Sequence, residues 1–269
     1  MPLRAAALAA TLAAGAAQAA DLAPVSCLIE PEAVVQLATA VAGVVAEVAV
    51  ERGDRVAAGQ VIARLDGRVE AIARDLARTR ATNEGRVRAL EARLAFLDAQ
   101  AARTAALSDR SAISATQADE ARMQAEMARE ELAEAHLAVR LAGIEAEQAE
   151  ALLEQKTVRA PFDGLITERL LSPGEYRDGQ THIATIVRLD VLRVEAFAPI
   201  AYFPHLTLGQ TVTIRPEAPI GGAYRATVTV IDRVFDAATG TFGFRMALPN
   251  PDLALPAGLR CEVEFAPGG

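Results

Sequence analysis

Gly43-Val44-Val45-Ala46-Glu47-Val48-Ala49-Val50-Glu51-Arg52-Gly53-Asp54-Arg55-Val56-Ala57-Ala58-Gly59-Gln60 and Gly164-Leu165-Ile166-Thr167-Glu168-Arg169-Leu170-Leu171-Ser172-Pro173-Gly174-Glu175-Tyr176-Arg177-Asp178-Gly179-Gln180 follow one pattern. Each opens on a glycine, alternates like a strand, turns at a glycine followed by an acid, and ends on Gly-Gln. The second copy is one residue shorter before its closing glycine. Strands this short, with glycine where a tight turn needs positive φ, predict an all-β half-module in each copy. Between the copies, from Asp66 to Val158, the apolar period changes from two to 3.6. A duplicated β unit split by a helical insertion is therefore expected.

The insertion predicts two long antiparallel helices. In the first, Val87, Leu90, Leu94, Leu97, Ala101 and Thr104 recur at spacings of three and four. The pattern weakens around Thr79–Arg86, where Gly85 softens the helix. In the second, Ala118, Ala121, Ala125, Ala128, Leu132, Ala135, Val139, Ala142, Ala146, Ala149 and Leu153 form a coiled-coil seam. Alanine at most of these positions permits close approach of the two helices. Leu137, Leu141, Ile144 and Leu152 add a second stripe, which predicts a further neighbour. About 40 residues at ~1.5 Å each make a rod of roughly 60 Å. The turn is expected at Ser108–Ile113, and Ser114-Ala115-Thr116-Gln117 fits a capping box for the second helix.

The flanks are read in the same way. Met1–Ala19 has one early Arg, an alanine-rich apolar run and an Ala17-Gln18-Ala19 site, the form of a cleaved secretory signal. The run is short and weakly hydrophobic for a membrane span. Export to a bacterial periplasm is the expectation. Residues 20–40 are a lead-in in which Val34–Leu37 forms one short strand. Residues 41–66 and 158–190 are the half-modules, and 67–157 the hairpin. Residues 191–266 carry alternating segments separated by Gly-, Pro- and Asn-rich turns, about six strands in all. They predict a small antiparallel β-barrel with a short helix near Ala201–Leu206 over one opening. The fold class is thus α+β and elongated: a split barrel-sandwich module, a coiled-coil hairpin and a barrel.

Composition excludes some functions. The 269 residues carry a net charge of −8 without a basic patch, so no nucleic-acid surface is expected. His136, His182 and His205 fall on three different elements, with no metal-ligand spacing, and no nucleophile–base pair is evident. Asp54, Asp66 and Asp163 sit at turns and helix starts, where capping accounts for them. No catalysis, cofactor or metal is expected. Cys27 and Cys261, in an oxidising compartment, permit one disulfide tying the first strand to the last; two separate buried thiols are the alternative. Lipid acylation of Cys27 is disfavoured, because Pro24-Val25-Ser26 lacks the Leu that such a site needs.

In this order the parts resemble the periplasmic adaptor subunits, or membrane fusion proteins of the HlyD type, of bacterial tripartite efflux pumps. The resemblance covers about residues 30–266. It rests on Val48–Asp66, on Val158-Arg159-Ala160-Pro161-Phe162-Asp163-Gly164, and on Leu248-Pro249-Asn250-Pro251-Asp252 with Leu255-Pro256-Ala257-Gly258. It implies a barrel-sandwich hybrid of the lipoyl-like type. It also implies an adaptor of about six copies between an inner-membrane transporter and an outer-membrane duct; the expected cleaved signal, in place of an N-terminal anchor, favours an RND-type over an ABC-type transporter. The family's tip pattern, an Arg, a Leu and a Ser, falls here on Arg103, Leu107 and Ser114. The resemblance implies that Arg103 and Ser114 hydrogen-bond the duct or a neighbouring adaptor while Leu107 packs. Ser114 also reads as a plain N-cap, Arg103 as a solvated charge and Leu107 as the last seam residue.

Many members carry a membrane-proximal domain beyond the barrel. Here that domain is expected to be missing, or residues 21–40 to be its remnant. An adaptor for an ABC exporter or a protein-secretion system stays open. A lipoyl or biotinyl carrier is remote: it needs a Lys at the exposed turn between the halves, and the sole lysine, Lys156, begins the strand entering the second half.

Overall fold

The structure is a computed structural model and describes residues 22–265. The expected signal segment lies outside the described residues. The chain divides into two compact units, one of residues 35–186 and one of residues up to 34 together with 187 onwards.

Strand β1 (Val25–Leu37) leads into the first unit. There β2 (Gly43–Val48), β3 (Arg55–Val56) and β4 (Val61–Leu65) form the first half of the module. Strands β5 (Thr157–Arg159), β6 (Gly164–Arg169) and β7 (Tyr176–Arg177) form the second, with the start of β8 (Ala184–Pro199). The halves do not fold side by side; they exchange partners. β3 pairs with β6, β2 with β7, and β4 with β5.

The repeat extends to individual hydrogen bonds. The Gly53 amide donates to the Ile166 carbonyl at 2.8 Å, and the Gly174 amide to Val45 at 2.8 Å. Ile166 donates back to Asp54 at 2.9 Å, and Val45 to Glu175 at 2.8 Å. The acid after each turn glycine also accepts a backbone amide at 2.8 Å, Glu51 to Asp54 and Ser172 to Glu175. Gly53 and Gly174 have φ of 96° and 92°, the left-handed region that glycine alone enters without a Cβ clash. Neither half can bury its apolar face alone. Val45, Ile62 and Leu65 of the first and Val158, Ile166 and Ile183 of the second are all buried.

The equivalence fails at one buried pair. Val56 is buried in the first half, and its counterpart Arg177 is buried in the second at 3% exposure. Its guanidinium donates to the carbonyls of Thr181 (3.0 Å), Val41 (3.0 Å) and Gly179 (2.9 Å). A buried charge needs such partners.

The hairpin leaves the module at Asp66. Its outgoing arm is α1 (Arg68–Ala81) and α2 (Gly85–Asp109); its return is the unbroken α3 (Ala115–Glu154). All the seam positions read from the sequence are buried or half-buried, with Ala121, Ala125, Ala128 and Ala135 the most enclosed. The second stripe, Leu137, Leu141, Ile144 and Leu152, is exposed. The weak pattern near Gly85 corresponds to a full interruption at residues 82–84 rather than a softened helix.

In the other unit, β9 (Thr211–Pro216), β10 (Tyr224–Ile231), β11 (Thr241–Pro249) and β12 (Leu259–Glu264) join β8 and β1. The order β1-β12-β9-β10-β11-β8, with β1 also paired to β8, closes a six-stranded barrel. Alternate side chains fill it, led by Phe242, Phe244, Met246 and Leu248 with Leu192, Val194, Ile214 and Val263. A 3-10 turn (Ile200–His205) sets Phe203 edge-on to Phe242, centroids 5.4 Å apart.

The lead-in differs from expectation. It is a 13-residue strand rather than a short one, and its first part is the sixth strand of the barrel. Residues 25–34 are thus barrel, not the remnant of another domain. Val25, Cys27 and Ile29 point into the barrel core, a clear period of two that the flanking Pro24 and Pro31 obscured. Cys27 and Cys261 face each other in the β1–β12 register, their sulfurs bonded at 2.01 Å.

Candidate functional site: the hairpin tip

The tip is built from the end of α2, five linking residues and the start of α3. Arg110 is the C-cap of α2, and Ser111 follows with φ of 59°. The Ser111 amide donates to the Ser108 carbonyl at 2.8 Å, and Ala112 to Leu107 at 2.9 Å. This is a Schellman closure, with serine in the left-handed position that glycine usually takes. It reverses the chain and leaves Leu107 at the rim, 43% exposed.

Ser114 starts α3. Its Oγ accepts the Gln117 amide at 3.3 Å, and its own amide donates to Gln117 Oε1 at 3.3 Å, a complete capping box. Arg103 is exposed on α2, four residues and about one turn below Leu107. Among the described residues it has no ion-pair partner. A groove of about 300 Å³ runs beside Leu107, lined by Gln100, Thr104, Ile113, Gln117 and Gln124. The rim thus offers two large apolar side chains, Leu107 and Ile113, a guanidinium with five donors, several amides and the Glu120 carboxylate. Such a surface can bind another polypeptide; it holds no acid–base or nucleophilic pair. Leu107 lines this groove rather than closing the seam, and Ser114 is an N-cap. Gln117 reads from the sequence only as part of the capping box, and Gln100 and Gln124 are not singled out there, since a glutamine at a surface has no periodic signature.

At the opposite end the hairpin is clamped to its module. Lys156 Nζ lies 3.0 Å from Glu70 Oε1, and both side chains are largely covered. Glu70's carboxyl is held below the usual range by a backbone hydrogen bond and by Lys156. Asp66 accepts the Arg68 guanidinium at 2.8 Å and its backbone amide at 3.1 Å, and these bonds lower its pKa as well. Asp54 and Asp163 likewise accept backbone amides, Asp163 that of Ala58 at 2.7 Å. His136, His182 and His205 lie on α3, before β8 and at the end of the 3-10 turn. Among the described residues no three His, Cys, Asp or Glu groups are placed to hold a metal. No helix among them is long and apolar enough to cross a membrane.

A split module with an inserted hairpin, followed by a six-stranded barrel, is a specific combination. Residues 33–188 match the model of the CzcB-like barrel-sandwich hybrid domain. The chain belongs to the membrane fusion protein family. Residues 194–269 match the CusB-like β-barrel domain, so the two matches follow the two kinds of β unit described above. This is the adaptor family of efflux pumps. The chain is 28% identical over 129 residues to the nodulation protein NolF of Rhizobium meliloti, covering 48% of this chain and 35% of that one. It is 27% identical over 138 residues to the cobalt-zinc-cadmium resistance protein CzcB of Cupriavidus metallidurans, covering 49% and 26%. The chain spans between about a quarter and a half of the length of the curated relatives it matches. MacA from Actinobacillus actinomycetemcomitans shares the fold, with a TM-score of 0.75 at 18% identity over 91% of this chain and 78% of that one.

Proposed function

We propose that this protein is the periplasmic adaptor of a tripartite efflux assembly, joining an inner-membrane transporter to an outer-membrane channel through its hairpin tips. The observation that carries this reading is the exposed Leu107–Arg103 rim on a hairpin rooted in a single β module. A hairpin of about 60 Å holds its tip away from the module only if its base is rigid. The reciprocal pairing of the two halves and the Lys156–Glu70 clamp support that rigidity.

The partner at the other end is an RND-type transporter in this reading, which the RND label of the matched barrel model supports. Several copies, six by analogy with the family, form a ring. The exposed Leu137, Leu141, Ile144 and Leu152 stripe supports lateral contact between neighbouring hairpins. Many weak contacts then act together.

Replacing Leu107 by Asp, or Arg103 by Asp, is expected to abolish efflux complementation in a deletion strain while the hairpin stays folded. The cargo panel includes cobalt, zinc and cadmium ions, named for CzcB. Resistance retained by either variant at normal expression rejects the tip assignment. Crosslinking from position 107 followed by pull-down should recover an outer-membrane channel. The inner-membrane protein that comes with it distinguishes an RND pump from an ABC exporter.

A further inference from the structure

The two arms of the hairpin are unlike. α3 runs without interruption through 40 residues, whereas the outgoing arm stops at Ala81 and restarts at Gly85. The stop is written in side chains that compete with the backbone. Thr82 Oγ1 donates to the Arg78 carbonyl at 3.1 Å, the same carbonyl that accepts the Thr82 amide. Asn83 Oδ1 accepts the Gly85 amide at 3.2 Å. Such local bonds end or bend helices.

What lies across from the interruption is the second observation. Below it Arg78 pairs with Glu150 at 2.6 Å; above it Arg93 pairs with Glu131 at 2.6 Å and Asp98 with Arg129 at 3.1 Å. Counting along the arms from either side sets residues 82–84 level with the turn of α3 that holds Gly143. A Cβ at Gly143 would meet nothing within 4 Å. Packing therefore does not require glycine there, yet glycine is the weakest helix former after proline. Both arms are weak at one height.

We infer that the hairpin carries a built-in flexion point at Thr82–Gly85 and Gly143. It divides the rod into a root, α1 with the last turns of α3, and a distal segment, α2 with the first part of α3. The distal segment carries Arg103, Leu107 and Ser114, so the tip reorients while the root stays clamped by Lys156 and Glu70. This does not depend on what the tip binds.

The experiment is a pair of distance distributions by double electron–electron resonance on the full chain. Nitroxides at Ile72→Cys and Phe96→Cys, both exposed, span the interruption; labels at Met123→Cys and Leu141→Cys lie wholly within the distal part of α3. The native cysteines are bonded to each other and take no label. The spanning pair is expected to give the broader distribution, and Gly143→Ala to narrow it towards the control width. Combining Gly143→Ala with Thr82→Ala and Asn83→Ala is expected to narrow it further. Equal widths in the unmodified hairpin overturn the inference. So does a broad distribution that Gly143→Ala leaves unchanged, and that measurement needs only the mildest variant.

Discussion

Arg177→Met tests how the two half-modules are held together. Arg177 is a buried charged residue in a position where the first half buries an apolar side chain, Val56. Its three donors hold the carbonyls of Val41, Gly179 and Thr181 at 2.9–3.0 Å. A hydrogen bond from a charged group is worth about 1.5–3 kcal/mol, and a buried carbonyl left without a donor costs about 1–3 kcal/mol. Gly179 and Thr181 are exposed, so their carbonyls regain water when the guanidinium is lost; Val41 is half-buried and regains less. Methionine also avoids the desolvation of a buried charge, which offsets part of the loss. The expected net destabilisation is roughly 2–4 kcal/mol. The measurement is hydrogen exchange of the β2 and β6 amides in rising urea, because far-UV dichroism is dominated by the helices. Arg177→Lys should recover only part, since an ammonium cannot reach three divergent carbonyls as a planar fork does. A loss below about 0.5 kcal/mol in Arg177→Met would mean that these bonds do not tie the halves, and would refute the reasoning.

Two further predictions follow from the same unit. Gly53→Ala and Gly174→Ala should each destabilise the module by about 1 kcal/mol and by nearly equal amounts, since both have strongly positive φ and neither added Cβ meets anything within 4 Å; a large inequality between them in urea unfolding speaks against the equivalence of the copies. Lys156→Met removes the Glu70 clamp, whose stabilisation depends on an ionised Glu70 with a depressed pKa. The contribution is therefore fully present above the ordinary carboxylate value of about 4.3 and is lost as pH falls through the lower folded-state value. The gap in urea midpoint between wild type and variant should stay constant from pH 7 to 5 and close below about pH 4; a gap unchanged at pH 3 contradicts the assignment.

The seam of α3, the turn glycines, the capping box at Ser114 and the split β repeat were legible from residue order. Each depends on interactions within a few residues or on a periodicity that persists however the chain folds around it. Only the three-dimensional structure showed that β3 seeks β6 and β2 seeks β7, because sequence similarity between two halves carries no information about which partner each strand takes. The same holds for β1. Its Val25, Cys27 and Ile29 alternate, but pairing with β12 across the length of the chain is what makes the strand part of the barrel. Arg177 is the clearest case. A lone arginine after a turn reads as a solvated charge, and it becomes a buried tie only because three carbonyls, one of them from the other side of the insertion, converge on it. Local chemistry determined the elements, and long-range pairing decided which of them share a body, since strand hydrogen bonds are satisfied by geometry that distant segments supply.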